Sequence, residues 1–431
     1  MAGGTFTVQN KVRPGAYINF TSAAAALGTA GERGTALLPL MLPFGPSGRA
    51  VKVDKDTDVL PLFGARENDP CLLMLRECAK RAQTVLVWRL DGGAKASCTD
   101  KGLTVTARYG GEGGNKLAVK IAAEGEKFRV ETWLDGLLYD SQTAGDIAGL
   151  QDNALVEFSG EGPLSIHAGL ALSGGDSGGE ADYDGFFAAA ALLDFNTMAV
   201  PSEDEAVKGK AVALVKRLRE EEGRKIQAVL ADSEADYEGV ISVKNGVTLA
   251  DGTEVGKVAA TAYAAGMTAG AAVNKSCTYD TYDGAVDASP RFTESGIVAA
   301  LKAGHMVFTP RAGRVIIEQD QNTLVSFTPD KGRAFHKNRT VRVLDQLAED
   351  VRRIFEDYYL GKASNNADGR RLFQAELLSY LRTLADISAI EPPENGDVTV
   401  AAGAEPDTVV VTLGVKPVDS MEKLYMTVTV G

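Results

Sequence analysis

The chain changes its pattern of apolar and polar positions three times, and each change predicts a different kind of structure. Between residues 69 and 90 the spacing predicts a helix and then a strand. Asp69 is a capping residue, Pro70 suits a first helical position, and residues 84–90 (TVLVWRL) are apolar enough for a buried strand. From about 97 to 177 the runs shorten to 103–108, 117–122, 128–133 and 155–158, separated by Gly-rich turns, which reads as a compact β domain. An α/β pattern then resumes. Residues 195–200 form a strand, and Ser202 with Glu205 makes a capping box. A helix follows with Val207, Ala211, Leu214, Val215 and Leu218 on one face and Gly223 closing it, and residues 226–231 form the next buried strand. Such a β-α-β unit implies parallel pairing through a right-handed crossover.

Two further helices are predicted near the end. Leu344, Leu347, Ala348, Val351, Ile354, Phe355 and Tyr358 line the first, which stops at Gly361; Phe373, Leu377, Tyr380, Leu381 and Leu384 line the second. Two β segments close the chain, 408–415 and 424–430. In the last, Leu424, Met426, Val428 and Val430 alternate with Tyr425, Thr427 and Thr429. Near the start, Ala16, Tyr17, Ile18, Asn19 and Phe20 form one short strand with no hairpin partner nearby. A lone strand needs an edge to pair with. Both ends therefore read as orphan strands, which either pair within their own subunit or complete a neighbour's sheet by β-augmentation.

The expected fold is multidomain α/β: a middle α/β domain, a small β domain inserted into it, and an α+β C-terminal domain. The expected boundaries are an N-terminal arm at 1–22, the middle domain at 23–95 and 181–329, the β-rich insert at 96–180, and the C-terminal domain at 330–431. The uncharged, Ala- and Gly-rich stretch 258–273 is shorter than the ~20 residues a membrane span needs, so it reads as a tightly packed helix and turn.

Composition narrows the function. The formal net charge is −13, a poor match to nucleic acid or to an anionic membrane surface, because phosphate affinity comes from clustered Lys and Arg. Cys71, Cys78, Cys98 and Cys277 contain no CxxC pair and read as small apolar residues in a reducing compartment. The first residues show no basic stretch followed by an apolar one, so no signal peptide is expected.

Motifs that carry chemistry fail on their context. Gly175-Asp176-Ser177-Gly178-Gly179 matches the nucleophile segment of chymotrypsin-like proteases. The only upstream histidine is His167, too close in sequence to serve as the base of a triad on that fold. Residues 110–116 (GGEGGNK) lack the Gly before the Lys and the Ser or Thr after it that a phosphate-binding loop needs. His167, His305 and His336 have no metal-binding spacing. No cofactor and no catalytic role is therefore expected, a serine hydrolase at Ser177 being the remote alternative. The motif itself reads as a flexible linker closing the insert.

Several segments, in order, resemble the phage tail sheath family. These are Arg13-Pro14-Gly15-Ala16-Tyr17-Ile18-Asn19-Phe20, the stretch 109–121, Asp236-Tyr237-Glu238-Gly239-Val240-Ile241, the stretch 266–276, Asn322-Thr323-Leu324, the stretch 338–345 and the tail 418–428. The resemblance is closest to sheaths of prophages and phage-like particles. It implies a virion-tail subunit, assembled in the bacterial host cytoplasm, that stacks as hexameric rings in a helix around a tail tube. Tube, baseplate and tail terminator proteins are its implied partners. Contraction from a metastable extended state would drive the tube through a target envelope without nucleotide hydrolysis, the C-terminal domain lying next to the tube and the insert facing outward. A static shell or surface-layer polymer is the alternative from another class. The resemblance turns the orphan strands, including Leu424, Tyr425, Met426, Thr427 and Val428, toward neighbouring subunits. It also gives Lys331, Arg333, Lys337, Arg339 and Arg342, a run with no acid between residues 331 and 343, a candidate role against an acidic tube surface.

Overall fold

A computed structural model describes residues 2–4, 15–17 and 33–430 of the chain. Its contacts divide into two compact units. One holds Gly31–Glu349 with Pro417–Gly431; the other holds Asp350–Lys416 with the first residues of the chain. This division falls inside the helix Asn338–Ile354, whose first half is ion-paired within the larger unit through Arg342 to Asp320 and Asp345 to Arg219.

The larger unit is built on a seven-stranded sheet in the order His305–Met306, Val240–Val243, Gln227–Ala231, Thr197–Val200, Thr35–Leu40, Thr84–Arg89, Ala50–Asp54. All neighbours are parallel except the last pair, which is antiparallel. Buried on both faces, the inner strands read as unbroken apolar runs. The expected β-α-β unit is present as Thr197–Val200, the helix Glu205–Glu220 and Gln227–Ala231. Its cap differs from the expected one: Asp204, not Ser202, accepts from the Ala206 amide at 2.8 Å, while Ser202 accepts from the Asp204 amide.

The Ala-rich stretch forms the helix Lys257–Gly270, buried from Ala260 to Ala269. Its small residues have a cause in packing. A Cβ on Gly266 would lie 2.1 Å from the Cys78 carbonyl oxygen, and one on Gly270 would lie 2.0 Å from that of Arg81. The helix Leu73–Ala79 can approach so closely only over glycine. No helix among the described residues is long and apolar enough to cross a membrane.

The insert is a two-sheet β domain. Four strands run in the order Leu137–Ala144, Lys127–Leu134, Leu117–Glu124, His167–Ala171, and three in the order Val156–Gly160, Leu103–Gly110, Lys95–Asp100. They enclose a core of their own that includes Val105, Val119, Ile121, Val130 and Leu155. Its two connections to the sheet are packed against each other, which corrects the expectation of a flexible linker. The Asn115 amide both donates to the Gly175 carbonyl and accepts from its N–H, each at 2.8 Å. A Cβ on Gly93 would lie 1.7 Å from the Asp176 carbonyl oxygen. Arg89, buried and paired with Asp91, donates to the carbonyls of Gly45 and Gly110 at 2.8 and 2.7 Å. Fixed main-chain contacts of this kind make a joint, not a hinge.

The smaller unit carries the helix Ala367–Asp386, which buries Phe373, Leu377, Tyr380, Leu381 and Leu384, all five of the expected positions. The preceding helix, Asn338–Ile354, ends in a wide turn over Phe355–Tyr359, with Gly361 at φ +69°. A hairpin of Val398–Ala402 and Val409–Leu413 follows. The sequence reading found the second of these strands and missed the first.

Candidate assembly sites at the chain ends

In the smaller unit the hairpin is a sheet of two strands, antiparallel from Val398↔Leu413 to Ala402↔Val409. Gln374 of the long helix donates to the Val398 carbonyl at 2.6 Å, fixing the hairpin against that helix. Among the described residues neither outer edge of the pair carries a further strand. Two strands alone are marginal in water, and an open edge offers its N–H and C=O groups to any extended segment.

The two expected orphan strands fare differently. Near the start, Gly15–Tyr17 pairs in parallel with Ala2–Gly4, so Ala16 and Tyr17 have a partner within the chain. The pairing is parallel and so is not the hairpin whose absence the sequence suggested; Ile18, Asn19 and Phe20 lie outside the described residues. At the other end, residues 424–430 belong to no strand of the described structure, although their alternation predicts one. Leu424 is 85% exposed, Met426 74% and Val430 89%, with Tyr425 and Val428 also exposed. This β-patterned apolar run is left in water, with no strand partner among the described residues.

Just before that run, Glu422 fastens the segment to the larger unit. Its carboxylate accepts from Thr278 Oγ1 at 3.0 Å, Gln319 Nε2 at 2.8 Å and Ser420 Oγ at 3.2 Å, and is ion-paired with Lys337. Burial alone would raise its pKa, yet the Lys337 ammonium and the Gln319 and Thr278 donors hold it below the usual glutamate range. Behind it lies a buried polar network. Asp320 accepts from the Cys277 amide at 3.0 Å and from Asn338 Nδ2 at 2.9 Å, and its own amide donates to Thr278 Oγ1 at 2.9 Å. Asp320 and Asn338 are fully enclosed. Sequence reasoning did not single out Glu422, Thr278, Gln319 or Asp320. They lie far apart in the chain, and only one signal was present, an acid between Met421 and Lys423 at the root of a β-patterned tail.

This network also takes up most of the basic run. Arg342 is 0% exposed, 3.5 Å from Asp320, and donates to the Lys275 carbonyl at 2.5 Å. Lys337 is paired with Glu422, and Lys331 with Glu238 at 2.7 Å. Arg339 is half-buried and Arg333 exposed. The expected contact surface is therefore corrected: Arg342 and Lys337 are internal struts, their sign set by buried or half-buried acids of the larger unit.

The two Gly-rich motifs are likewise structural. In the 110–116 loop the Gly111, Gly113 and Gly114 amides donate to the carbonyls of Ala94, Pro43 and Gly111, at 2.9, 2.8 and 3.1 Å. The Glu112 amide donates to Ser177 Oγ at 3.2 Å. The amides a phosphate would need are thus spent on the chain, and the Ser177 hydroxyl serves the joint. A second serine–histidine pair was not visible in the sequence. Ser242 Oγ lies 2.8 Å from His305 Nδ1, and His305 Nε2 lies 3.9 Å from Asp232. Both Ser242 and His305 are buried, the Ser233 amide occupies the hydroxyl, and burial lowers the histidine pKa.

Four family models match successive stretches of the chain. The tail sheath protein Gp18 domain III N-terminal region covers residues 33–90, and the phage tail sheath protein beta-sandwich domain covers 91–177. The phage tail sheath protein central domain covers 177–323, and the phage tail sheath C-terminal domain covers 330–431. The class so defined is a structural protein of a phage-type tail. The chain is 36% identical over 466 residues to the phage-like element PBSX protein XkdK of Bacillus subtilis (strain 168), covering 100% of both. The sheath tail protein from Desulfitobacterium hafniense has the same fold, with TM-score 0.86 and 46% identity over 96% of this chain and 99% of that one. The sheath tail protein from Listeria innocua matches at TM-score 0.81 and 36% identity, over 93% and 96%. The chain belongs to the phage tail sheath family. The contracted helical sheath of the anti-feeding prophage, at TM-score 0.59 and 14% identity over 97% and 99%, shares the fold.

Proposed function

We propose that this protein is a contractile tail sheath subunit that polymerises by lending its C-terminal strand to a neighbouring copy. The observation that carries the reading is the exposed, alternating segment 424–430, which has no strand partner among the described residues. The open-edged hairpin Val398–Ala402/Val409–Leu413 is its natural acceptor in another copy. Strand addition satisfies main-chain groups on both sides and tolerates rotation of the joined bodies, since the bonds run along one ribbon. A head-to-tail contact whose rotation does not close builds a helix. The protein's work is then mechanical and needs no chemistry of its own: hexameric rings stacked around a tail tube, an extended lattice above a contracted one in free energy, and each subunit releasing a small difference. Baseplate and terminator proteins bound the polymer, and neither nucleic acid nor membrane is a partner.

Removing residues 423–431 tests the reading. The truncated protein is expected to stay folded and monomeric, with an unchanged melting temperature. Cells carrying the other tail components are expected to make bare tubes, counted by negative-stain microscopy. Normal sheaths from the truncated chain would sink the strand-lending model. A full-length sheath with a single lattice, unable to shorten, would favour a static shell.

A further inference from the structure

We infer that Glu422 is a positioning residue for assembly: it pins the root of the C-terminal strand to Thr278, Gln319 and Lys337, so that residues 423–430 are presented from one fixed point. The inference rests on the strand-lending reading and adds what sets the strand's reach.

Glu422 is half-buried, and its carboxylate meets three side chains from three separate stretches of the larger unit. The stretches are themselves held. The Asp320 amide donates to Thr278 Oγ1, Cys277 and Asn338 are bonded to the Asp320 carboxylate, and Arg342 backs that carboxylate from within. The acceptor of the pin is therefore rigid. The residue just before it, Met421, is fully exposed, and every residue from Lys423 to Val430 is exposed too. Order at one residue flanked by exposure on both sides is the geometry of a tether point.

The consequence is geometric. Anchored at Glu422, residues 423–430 reach about 26 Å at about 3.3 Å per residue. Without the anchor the free segment extends back to about Pro417 and reaches about 46 Å. Its tip then searches a larger volume, and its local concentration at the acceptor falls by roughly two- to fivefold from length alone. Loss of a preset direction adds to this.

The titratable groups around it are Lys337, which pairs with it, and His336, whose pKa burial lowers and the Glu422 charge pulls back up. Only Lys337 pairs directly with Glu422 among the ion pairs described.

The test compares full-length Glu422→Ala, Glu422→Gln and Lys337→Gln with the truncation lacking 423–431. Monomer melting, limited proteolysis of the tail and sheathed particles per cell are measured together. With the pin at work, Glu422→Ala melts as the parent does, its tail is cut faster, and sheathed particles fall about fivefold or more. Glu422→Gln, which keeps the shape and part of the hydrogen bonding, restores part of the loss. Wild-type particle numbers from Glu422→Ala, when the truncation gives none, overturn the pin and leave strand lending intact. Normal sheaths from the truncation overturn the reading beneath it. If Glu422→Ala does not fold, Glu422→Gln and Lys337→Gln decide: both folded, with unchanged tail cleavage and assembly, overturn the pin.

Discussion

Arg342→Glu separates an internal strut from a tube contact. In the structure Arg342 is fully enclosed, 3.5 Å from the equally enclosed Asp320, with the Lys275 carbonyl as a further acceptor. Reversing its sign removes the only described ion pair of a buried carboxylate and places a second acid beside it. Breaking a buried pair from one side costs about 3–5 kcal/mol, because the remaining charge stays desolvated. The larger unit spans roughly 330 residues, so its unfolding entropy near the melting point is about 0.7 kcal/mol/K. The melting temperature of the purified monomer is then expected to fall by about 4–7 °C. Calorimetry, or dye-reported melting of the monomer without tube, reads this directly. A surface contact behaves in the opposite way, leaving the monomer unchanged and losing only co-assembly. Melting within about 1 °C of the parent would refute the buried-strut reasoning.

Three further outcomes follow from the packing. Gly266→Val forces a side chain toward the Cys78 carbonyl oxygen, where even a Cβ would sit at 2.1 Å. The helix pair must separate, at a cost of about 3 kcal/mol or more, and a melting drop under about 2 °C would show the contact to be soft. The thiols of Cys78 and Cys277 are enclosed and pushed up by burial to about 12, so neither is expected to react with a thiol reagent at pH 8 until denaturant is added. Fast native labelling at either would contradict the core packing. Glu422 has a depressed pKa, so its contribution to holding the tail is complete above the ordinary glutamate value and is lost as pH falls through the folded one. Tail cleavage by an acid-active protease is expected to rise in that window and to be insensitive to pH in Glu422→Gln.

The α/β body was legible because its signals are local. The β-α-β unit, the Ala- and Gly-rich helix and the five buried positions of Ala367–Asp386 each follow from the pattern within a single segment. What the sequence hid depends on partners far away along the chain. The charge of Arg342 reads as surface until Asp320 and Lys275 are placed around it, and the segment around Ser177 reads as a flexible linker until the Glu112 amide is found on its hydroxyl. The strand Val398–Ala402 escaped because its alternation is weak and small-residue ends dilute it, its one fully buried residue being Val398. Alternation in 424–430 predicts a strand, and the described residues there form none. The pairing of an edge strand depends on its partner, and nothing in those residues says which edge that is.

An exposed apolar strand is a hazard before it is a device, since any open edge can capture it. The chain meets this in two ways that also serve assembly. Its formal charge of −13 keeps copies apart at random encounters, so capture demands a specific approach. The strand also starts from an ionic tether and not from an apolar one. A tail folded back onto an apolar groove would have to be peeled off before it could be lent. A tail fixed at one carboxylate keeps its remaining residues free and its direction set, and on the proposed reading the monomer would give up no buried surface to a neighbour that took the strand. The insert follows the same logic from the other side. Its glycine joint, closed by Asn115 on Gly175 and by Arg89 on Gly45 and Gly110, leaves no slack between the β domain and the sheet. On the proposed reading, motion in a sheath of such subunits would be carried by the lent strands between copies, and the glycine joint would hold the insert to its sheet.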